Sequence, residues 1–495
     1  MTPPALIRSP KESRRLIVTL VLGTLFLVAF GMLTAATTES LIAYISITTV
    51  AVLPAALWIW TGTKGVPILS AVSLFHYIYY AIPVLRHEII LTTYAPFEIA
   101  RAGLTTSLFL IAATVSWAPL IWERPRRSSV ASREIGEGRG YRLLVFLGLG
   151  FGIVYYIALF SGLLTALGPL VGLIRSVMLT ATLMACFMLG HSRAQGWLKG
   201  TNWALAVGGM GVIVASSLAT LFLVSAVIYC IAAVFGFVIT KKRVPWKFLS
   251  ATTVVIVVLH AGKGDIREKY WLANMQYGAE MSLTQIPGFL AEWSGIGLTK
   301  ITSGQIYSSA IDRASLMQIL LHVQRLSPDH IPYLDGESYA QLLNTLVPRF
   351  INPEKPLSQY AMSMLNIRYG IQTQEQTQKT SIGWGLLSES FANFGYLGVI
   401  GIGLLLGLMS GLFERASAGA EVISLRTLSA IVLLLQLINM EADATAFISS
   451  LAQSLAAVWI FFGLYRLVSK KRARSLQRGH HSLIIARRTP DAVSG

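Results

Sequence analysis

Long apolar runs alternate with short polar segments along most of this chain, and many of the runs are close to the length of a membrane-spanning helix. A helix of about 20 apolar residues crosses the hydrocarbon core of a bilayer and satisfies its own backbone hydrogen bonds there. The pattern therefore predicts an all-α, polytopic membrane protein with about twelve transmembrane helices. The predicted spans are residues 16–34, 41–60, 66–85, 102–121, 143–159, 177–189, 204–220, 221–240, 248–261, 394–413, 428–440 and 444–467.

Three boundaries in this pattern stay open. Residues 202–240 form one apolar stretch, which we divide into two spans near Thr220. Residues 163–174 are apolar but too short to cross, so we expect them to lie in the interface or to re-enter the membrane. The basic start of the chain is typical of either a signal peptide or an anchor. The length of the first run and the spans that follow it favour an uncleaved anchor.

One long polar segment, residues 262–383, separates the ninth predicted span from the tenth. It contains four apolar runs with helical spacing, at residues 283–293, 314–326, 339–346 and 357–371, and prolines separate them. We therefore expect one large, mainly helical loop that packs on the bundle. The chain divides into an N-terminal bundle of about nine spans (1–261), this loop (262–383), three C-terminal spans (384–468) and a basic tail (469–495).

The distribution of charge gives an orientation. The net charge is +17, but the basic residues lie in short segments between apolar runs, whereas a nucleic-acid-binding protein gathers them on one soluble face. With the N-terminus inside, the inner segments hold 27 of the 40 Lys and Arg but only 7 of the 23 Asp and Glu. This asymmetry predicts cytoplasmic N- and C-termini, an external loop at 262–383 and no nucleic-acid partner.

Missing motifs disfavour several catalytic classes. The chain has no P-loop, no G-x-S-x-G elbow and no H-E-x-x-H sequence. Its 2 cysteines, Cys186 and Cys230, lie in apolar runs, so the polar loop has no thiol. Glu441 and Asp443 have the spacing of a short acidic metal motif, but in so short a loop we interpret them as solvated charges. We predict no metal and no cofactor.

Basic and aromatic side chains of the loop are the candidates for binding a substrate. An arginine fork binds phosphate bidentately and keeps its charge, and a pyrophosphate leaving group gains charge as its bond breaks. Aromatic rings pack against the apolar faces of sugars. The candidates are Arg267, Arg313, Lys355, Arg368, Tyr339 and Trp271, with Arg325 as a further arginine in apolar sequence. Ordinary salt bridges and an interfacial aromatic belt are the alternative explanations.

Carboxylates of the same loop are candidates for the general base. A base must accept the proton of an attacking sugar hydroxyl, which Glu337 or Glu389 would do. Glu389 stands at the mouth of the tenth span, where a carboxylate is costly unless it is paired or used. Arg349 is the third catalytic candidate, because it lies in an unusual proline-rich sequence. Further candidate bases are Asp335, His322 and His330.

The tenth span is rich in glycine. Its glycines are Gly395, Gly398, Gly401, Gly403, Gly407 and Gly411. The last three form two overlapping G-x-x-x-G units, which are typical of close helix packing in membranes. We expect these glycines to dock the Glu389 end of the span against its neighbours.

Taken in order, these motifs resemble those of bacterial oligosaccharide repeat-unit polymerases, the Wzy or O-antigen polymerase group. Many spans precede one large outer loop, which carries a G-E-S-Y sequence, a P-R…P-x-K-P element and then an E…N-F-G-x-x-G sequence. The residues that carry the resemblance are Gly336–Tyr339, Pro348, Arg349, Pro353, Lys355, Pro356, Glu389, Asn393, Phe394, Gly395 and Gly398. The detailed likeness covers residues 336–411, and the remaining spans agree in number and topology.

The resemblance implies a glycosyltransferase that moves a growing glycan from undecaprenyl pyrophosphate onto a lipid-linked repeat unit at the periplasmic face. It implies no nucleotide site, and it implies membrane lipids, a chain-length regulator and a flippase of the same pathway as partners. An O-antigen ligase or another lipid-linked-sugar transferase is the nearest alternative. A transporter or flippase is the alternative of another class, and it would require ionisable residues along a path inside the membrane.

Overall fold

The computed structural model describes residues 10–62, 65–85, 89–122, 138–241, 243–272, 283–303, 315–347, 351–352, 354 and 359–463. In chain order its helices are α1 Pro10–Thr34, α2 Thr38–Trp60, α3 Ile68–His76, α4 Ile82–Leu85, α5 Pro96–Trp122, α6 Arg139–Phe160, α7 Val171–Gln195, α8 Gly200–Ala219, α9 Leu223–Lys241, α10 Trp246–Arg267, α11 Ile286–Thr302, α12 Leu316–Leu326, α13 Leu342–Leu346, α14 Tyr360–Arg368, α15 Gln374–Lys379, α16 Gly385–Ser417, α17 Leu425–Leu437 and α18 Ala444–Gly463. No β-strand occurs in these residues. Eleven of the helical segments are long and apolar enough to span a membrane, which confirms an all-α polytopic membrane protein.

The helix α17 has only 13 residues, yet it carries the chain from one end of the bundle to the other. Before it, the Ser417 hydroxyl accepts a hydrogen bond from the Val66 amide (2.9 Å), where α2 gives way to α3. After it, the Glu441 carbonyl accepts from the Trp384 amide (3.2 Å), just before α16. We call the end that carries α12 to α15 the loop face and the opposite end the tail face.

The two open boundaries inside the bundle are settled by backbone conformation. The helix α8 ends at Ala219, Leu221 has a left-handed φ of 63°, and α9 begins at Leu223, so the division near Thr220 is confirmed. The apolar stretch after α6 forms 3-10 turns over Leu163–Leu170, broken at Gly168, before α7 begins. That stretch does not cross the bundle.

The helix α10 runs past its predicted end at Ala261, to Arg267, and continues as a π-helical turn over Glu268–Leu272. Packing explains the extension, because Ile266 is completely buried and the Trp293 indole of α11 donates to the Leu259 carbonyl (2.6 Å). As a result, Arg267 is a helical residue on the rim of the bundle.

Three glycines of α16, Gly403, Gly407 and Gly411, make close contact with α5, as their G-x-x-x-G spacing predicts, whereas Gly401 meets nothing within 4 Å. A Cβ added at Gly407 would lie 1.8 Å from the Ala113 carbonyl oxygen, and one added at Gly403 would lie 2.6 Å from the Phe109 carbonyl oxygen. Helix backbones approach this closely only where a side chain is absent. The order of the contacts shows that α5 and α16 run parallel, from the loop face to the tail face.

The loop helix α12 lies on the loop-face ends of α5 and α16. Its Gln324 amide donates to the Thr105 hydroxyl (2.8 Å), and the Arg101 guanidinium of α5 donates to the Gln324 carbonyl (2.7 Å). Arg325 makes two hydrogen bonds to the Glu98 carboxylate (2.9 and 2.6 Å). These contacts fix part of the polar loop to the membrane bundle.

Candidate functional site

The site is built around a break in α16. Phe394 and Gly395 leave helical geometry, and Gly395 has a left-handed φ of 57°. A Cβ at Gly395 would lie 2.6 Å from the Tyr333 hydroxyl, and one at Gly398 would lie 2.1 Å from the Ser390 carbonyl oxygen. Glycine is therefore needed at both positions. The break turns the short segment 385–393 away from the long membrane-spanning part of α16.

A break in a helix leaves backbone carbonyls without their usual partners four residues later. Here the carbonyls of Ala392 and Asn393 accept from the amides of Leu334 and Asp335 (3.1 Å each). These amides belong to a tight turn in which Asp335 (φ 47°) and Gly336 (φ 92°) are both left-handed. The turn of the loop thus supplies the hydrogen bonds that the break removes.

Side chains strengthen the same junction. The Asn393 amide group donates to the Ser338 hydroxyl and to the Glu389 carbonyl (2.8 Å each), and its oxygen accepts from the Gly336 amide (3.1 Å). The Ser338 hydroxyl donates to Glu389 Oε1 (2.7 Å). Asn393 and Glu389 are both completely buried. The G-E-S-Y and E…N-F-G sequences, about 50 residues apart, therefore form one hydrogen-bonded unit.

The N-terminus of α18 closes the site from the bundle side. Glu389 Oε2 accepts from the Ala444 amide (2.6 Å), and Asp443 Oδ1 accepts from the Ala446 amide (2.6 Å) as a helix cap. The Thr445 hydroxyl donates to the Ser338 carbonyl (3.3 Å). Two carboxylates thus meet the positive end of one helix dipole.

Asp443 is completely buried, so its interpretation as a solvated charge is wrong. The short turn after α17 folds inward because its backbone bonds to Trp384 and Gly385. Burial raises the pKa of Asp443 to about 6, although nearby backbone amides oppose the shift. Its Oδ2 makes no hydrogen bond within the described part of the chain.

An ion pair lies at the surface above the buried unit. Arg368 of α14 binds the Glu337 carboxylate, and their side chains are 39% and 53% exposed. Tyr339 packs against Phe394 at a centroid distance of 6.2 Å, and burial raises the pKa of its hydroxyl above the usual value. Glu337 and Arg368 are thus accessible, whereas Glu389 lies beneath them.

A second charged group lies on the α10 side of the Glu441–Asp443 turn. Glu441 is exposed at its surface; partial desolvation raises the pKa of its carboxyl, and the positive charges of Lys263 and Arg267 lower it, so these residues are electrostatic neighbours. The Arg267 guanidinium also donates to the Leu221 carbonyl (3.2 Å). The extension of α10 brings these cations to the turn that holds Asp443.

Of the residues predicted to act together, four meet at the broken helix: Glu337, Tyr339, Arg368 and Glu389. Arg267 lies apart from them, and Trp271 lies in the π-helical turn after α10. Arg325, expected in a binding or salt-bridging role, pairs with Glu98. The alternative base His322 bonds to the Tyr369 carbonyl through Nε2 (2.8 Å). Arg313, Arg349 and Lys355 lie outside the described residues.

Asp443 was not predicted as a site residue, although the local sequence contains a signal for its position. An acidic residue directly before a long apolar run is a helix-capping pattern, and Asp443 precedes α18 in this way. Within the described residues, no group of three or more His, Cys, Asp or Glu side chains is arranged to hold a metal ion.

Comparisons of the chain with protein-family models, curated proteins and solved structures found no match. The resemblance to repeat-unit polymerases therefore rests on the motifs in the sequence alone. The hydrogen bonds and burial described above are a separate finding about the structure.

Proposed function

We propose that this protein is a membrane glycosyltransferase that polymerises lipid-linked oligosaccharide repeat units at the loop face, on the outer side of the bacterial plasma membrane. The observation that carries the proposal is the 2.7 Å hydrogen bond from Ser338 to Glu389, with the Glu337–Arg368 pair directly above it. It joins the two sequence motifs that resemble those of the polymerases. A lipid-linked sugar presents its pyrophosphate at this level of the membrane.

In the proposed reaction, an acceptor hydroxyl attacks the anomeric carbon of the donor glycan. A new C–O bond forms, the C–O bond to pyrophosphate breaks, and the hydroxyl proton passes to a base. Glu337 is the better candidate for that base in this conformation, because it is half exposed while both oxygens of Glu389 are already hydrogen-bonded. Glu389 then acts as a positioning residue that holds Ser338, and thereby Glu337, in place.

Cations near the site support binding of a pyrophosphate. Arg368 lies beside Glu337, and Lys263 and Arg267 lie across the Glu441 turn. An arginine stabilises the charge that develops on a leaving phosphate group. Arg313, Arg349 and Lys355 keep their predicted roles in this scheme. An O-antigen ligase would use the same chemistry on a different acceptor.

A second candidate is a proton-linked transporter or flippase. The observation that favours it is the presence of five buried histidine and glutamate side chains inside the candidate spans: His76, Glu98, His191, Glu389 and Glu414. Such residues in a membrane interior commonly mark ion or proton pathways. The large, anchored loop favours the polymerase.

Deletion of the gene, followed by complementation, tests the proposal. Glu337→Gln should abolish long polysaccharide chains and leave single repeat units on the surface, at a normal level of protein. Glu375→Gln is the matched control, because Glu375 lies on the same loop in the first turn of α15 and is exposed. Long chains stranded on the carrier lipid would instead indicate a ligase. Normal chain lengths in the deletion strain would refute the enzyme proposal.

A further inference from the structure

A stripe of buried polar side chains crosses the interior of the bundle between α3 and α16. On α3, Ser73 and His76 are buried one turn apart, and Tyr80, in the π-helical turn that follows α3, is buried as well. On α16, Ser410 and Glu414 are completely buried, one turn apart. Burying a polar group inside the bundle costs free energy unless the group has a hydrogen-bond partner.

At the tail face, Glu414 joins the two helices. Its Oε1 accepts from the Leu69 amide near the start of α3 (2.8 Å). Its Oε2 is buried without a hydrogen bond in the described structure, although the Trp117 indole of α5 faces the carboxylate. The hydroxyls of Ser410 and Ser73, one turn further in, are also buried without partners among these residues. In proteins, internal water commonly supplies the hydrogen bonds of buried polar groups of this kind.

In the middle, His76 offers a free nitrogen. Its Nδ1 lies 2.9 Å from the Val72 carbonyl oxygen and must therefore carry the hydrogen, which leaves Nε2 as an acceptor in the neutral ring. The ring is stacked between Tyr80 and Phe109, at centroid distances of 5.7 and 5.4 Å. A π-helical turn follows at Tyr77–Ala81, a feature frequent at functional sites.

A cavity leads from His76 towards the loop face. It has a volume of about 20 Å³, which is enough for one water molecule, and His76, Tyr80 and Asn439 supply polar groups in its wall. Leu387 and Met440 line its other end, beside the segment that carries Glu389. The cavity thus lies between His76 and the segment just before Glu389.

At the loop face, the stripe reaches the buried carboxylates. The Tyr80 hydroxyl lies beside Ser388, the residue before Glu389. Glu389 is bonded to Ser338, whose neighbour Glu337 is exposed to solvent. Asp443, with an oxygen that has no partner within the described residues, lies against the same carboxylate.

We propose that α3, α5 and α16 enclose a hydrated proton path that joins Glu414 at the tail face to Glu389 and Asp443 at the loop face, with Tyr80 and His76 as relay groups. Each hydroxyl or water accepts one proton and releases another. His76 takes up and releases the proton at Nε2, because Nδ1 stays bonded to Val72. The titratable groups that face the path are His76 from α3, Tyr80 from the π-helical turn after α3, Glu389 and Glu414 from α16, and Asp443 from the turn before α18.

This path goes beyond the proposed function and does not depend on it. A proton that enters at the loop face would move along the path under the membrane potential, whatever substrate the site binds. In the polymerase, the path would carry the proton of the acceptor hydroxyl to the tail face.

Proton flux into vesicles tests the inference without any glycan substrate. The full-length protein is reconstituted in vesicles of phosphatidylethanolamine and phosphatidylglycerol that contain a pH-sensitive dye, and a potassium gradient with valinomycin sets the potential. Wild-type vesicles should take up protons faster than protein-free vesicles. Glu414→Gln and His76→Asn should each lower the excess rate by about tenfold or more, because each removes a relay group and keeps its local hydrogen bond.

The matched control is His191→Asn. His191 is equally buried, but it lies on α7 and bonds to Thr240, away from the path. It should leave the flux unchanged. Glu414→Gln and His76→Asn test the inference independently. If one of them folds poorly, the proton flux of the other still decides. Wild-type flux equal to that of protein-free vesicles would overturn the inference, and so would equal flux in His76→Asn and His191→Asn.

Discussion

Asn393→Ala should loosen the junction between the polar loop and the membrane bundle. The side chain is completely buried and makes three hydrogen bonds, to Ser338, to the Glu389 carbonyl and from the Gly336 amide. Alanine removes all three and leaves the Gly336 amide without its partner. The two backbone bonds from Leu334 and Asp335 remain, so the junction weakens without disappearing.

The expected loss of stability is about 3 kcal/mol, because each of the three hydrogen bonds contributes roughly 0.5–1.5 kcal/mol net and buried groups left unpaired cost more. Asn344→Ala is the control, since Asn344 lies on the same loop, is exposed and bonds only to the side chain of Gln341 among its described contacts. That change should cost less than about 0.5 kcal/mol. The structure thus predicts a large difference between two identical substitutions.

Thermal unfolding of the two variants in the same detergent provides the assay. Asn393→Ala should unfold at a clearly lower temperature than Asn344→Ala, and under the proposed polymerase function it should also lose long glycan chains at a lower temperature than the wild type. Asn393→Asp is a second variant for the same assay. It keeps the size of the side chain, but its second oxygen would face the Ser338 hydroxyl and the Glu389 carbonyl, which both now accept hydrogen bonds from Asn393. Unfolding of Asn393→Ala and Asn344→Ala at the same temperature would show that the junction does not stabilise the fold.

Two further predictions concern packing and pH. Gly407→Ala should cost roughly 1–3 kcal/mol, because its Cβ would lie 1.8 Å from a backbone oxygen of α5, whereas Gly401→Ala on the same helix meets nothing within 4 Å and should be neutral in thermal unfolding. Equal stability of the two variants would contradict the close contact. Asp443→Asn keeps the hydrogen bond that caps α18 but removes the titrating carboxyl, whose pKa burial raises from 3.8 to about 6. Because the unfolded chain loses this proton first, wild-type stability should fall as the pH rises from about 4 to 6, and the advantage of the variant should grow over that window by at most about 3 kcal/mol. A pH series of unfolding curves with a constant difference would contradict the prediction.

Hydropathy predicted the membrane fold well because each span reflects a physical requirement that operates locally. A bilayer demands about 20 apolar residues and an internally bonded backbone, whatever the rest of the chain does. The exception, α17, shows where this reasoning weakens. It is short, and only its contacts at both ends, through Ser417 and Glu441, show that it carries the chain across.

The candidate site was predicted only in part because it depends on contacts between distant segments. Glu337, Tyr339 and Glu389 were identified from their local sequence, but nothing local indicates that Ser338 bonds to Glu389. The burial of Asp443 depends on the fold of a turn whose sequence is typical of solvated charge. The cations Lys263 and Arg267 reach that turn because α11 stabilises extra turns of α10, which is a tertiary effect.

Glu389 couples the loop to the bundle through two different oxygens. As a carboxylate, it accepts from Ser338 on the loop and from the Ala444 amide on α18. A proton on Oε1 would oblige the Ser338 hydroxyl to accept instead, and that hydroxyl already accepts from Asn393. Its own hydrogen would then need a new partner. Protonation of Glu389 would therefore disturb the loop side of the junction and leave the α18 side intact, so the proposed proton path and the position of Glu337 would act on one another through a single carboxyl group.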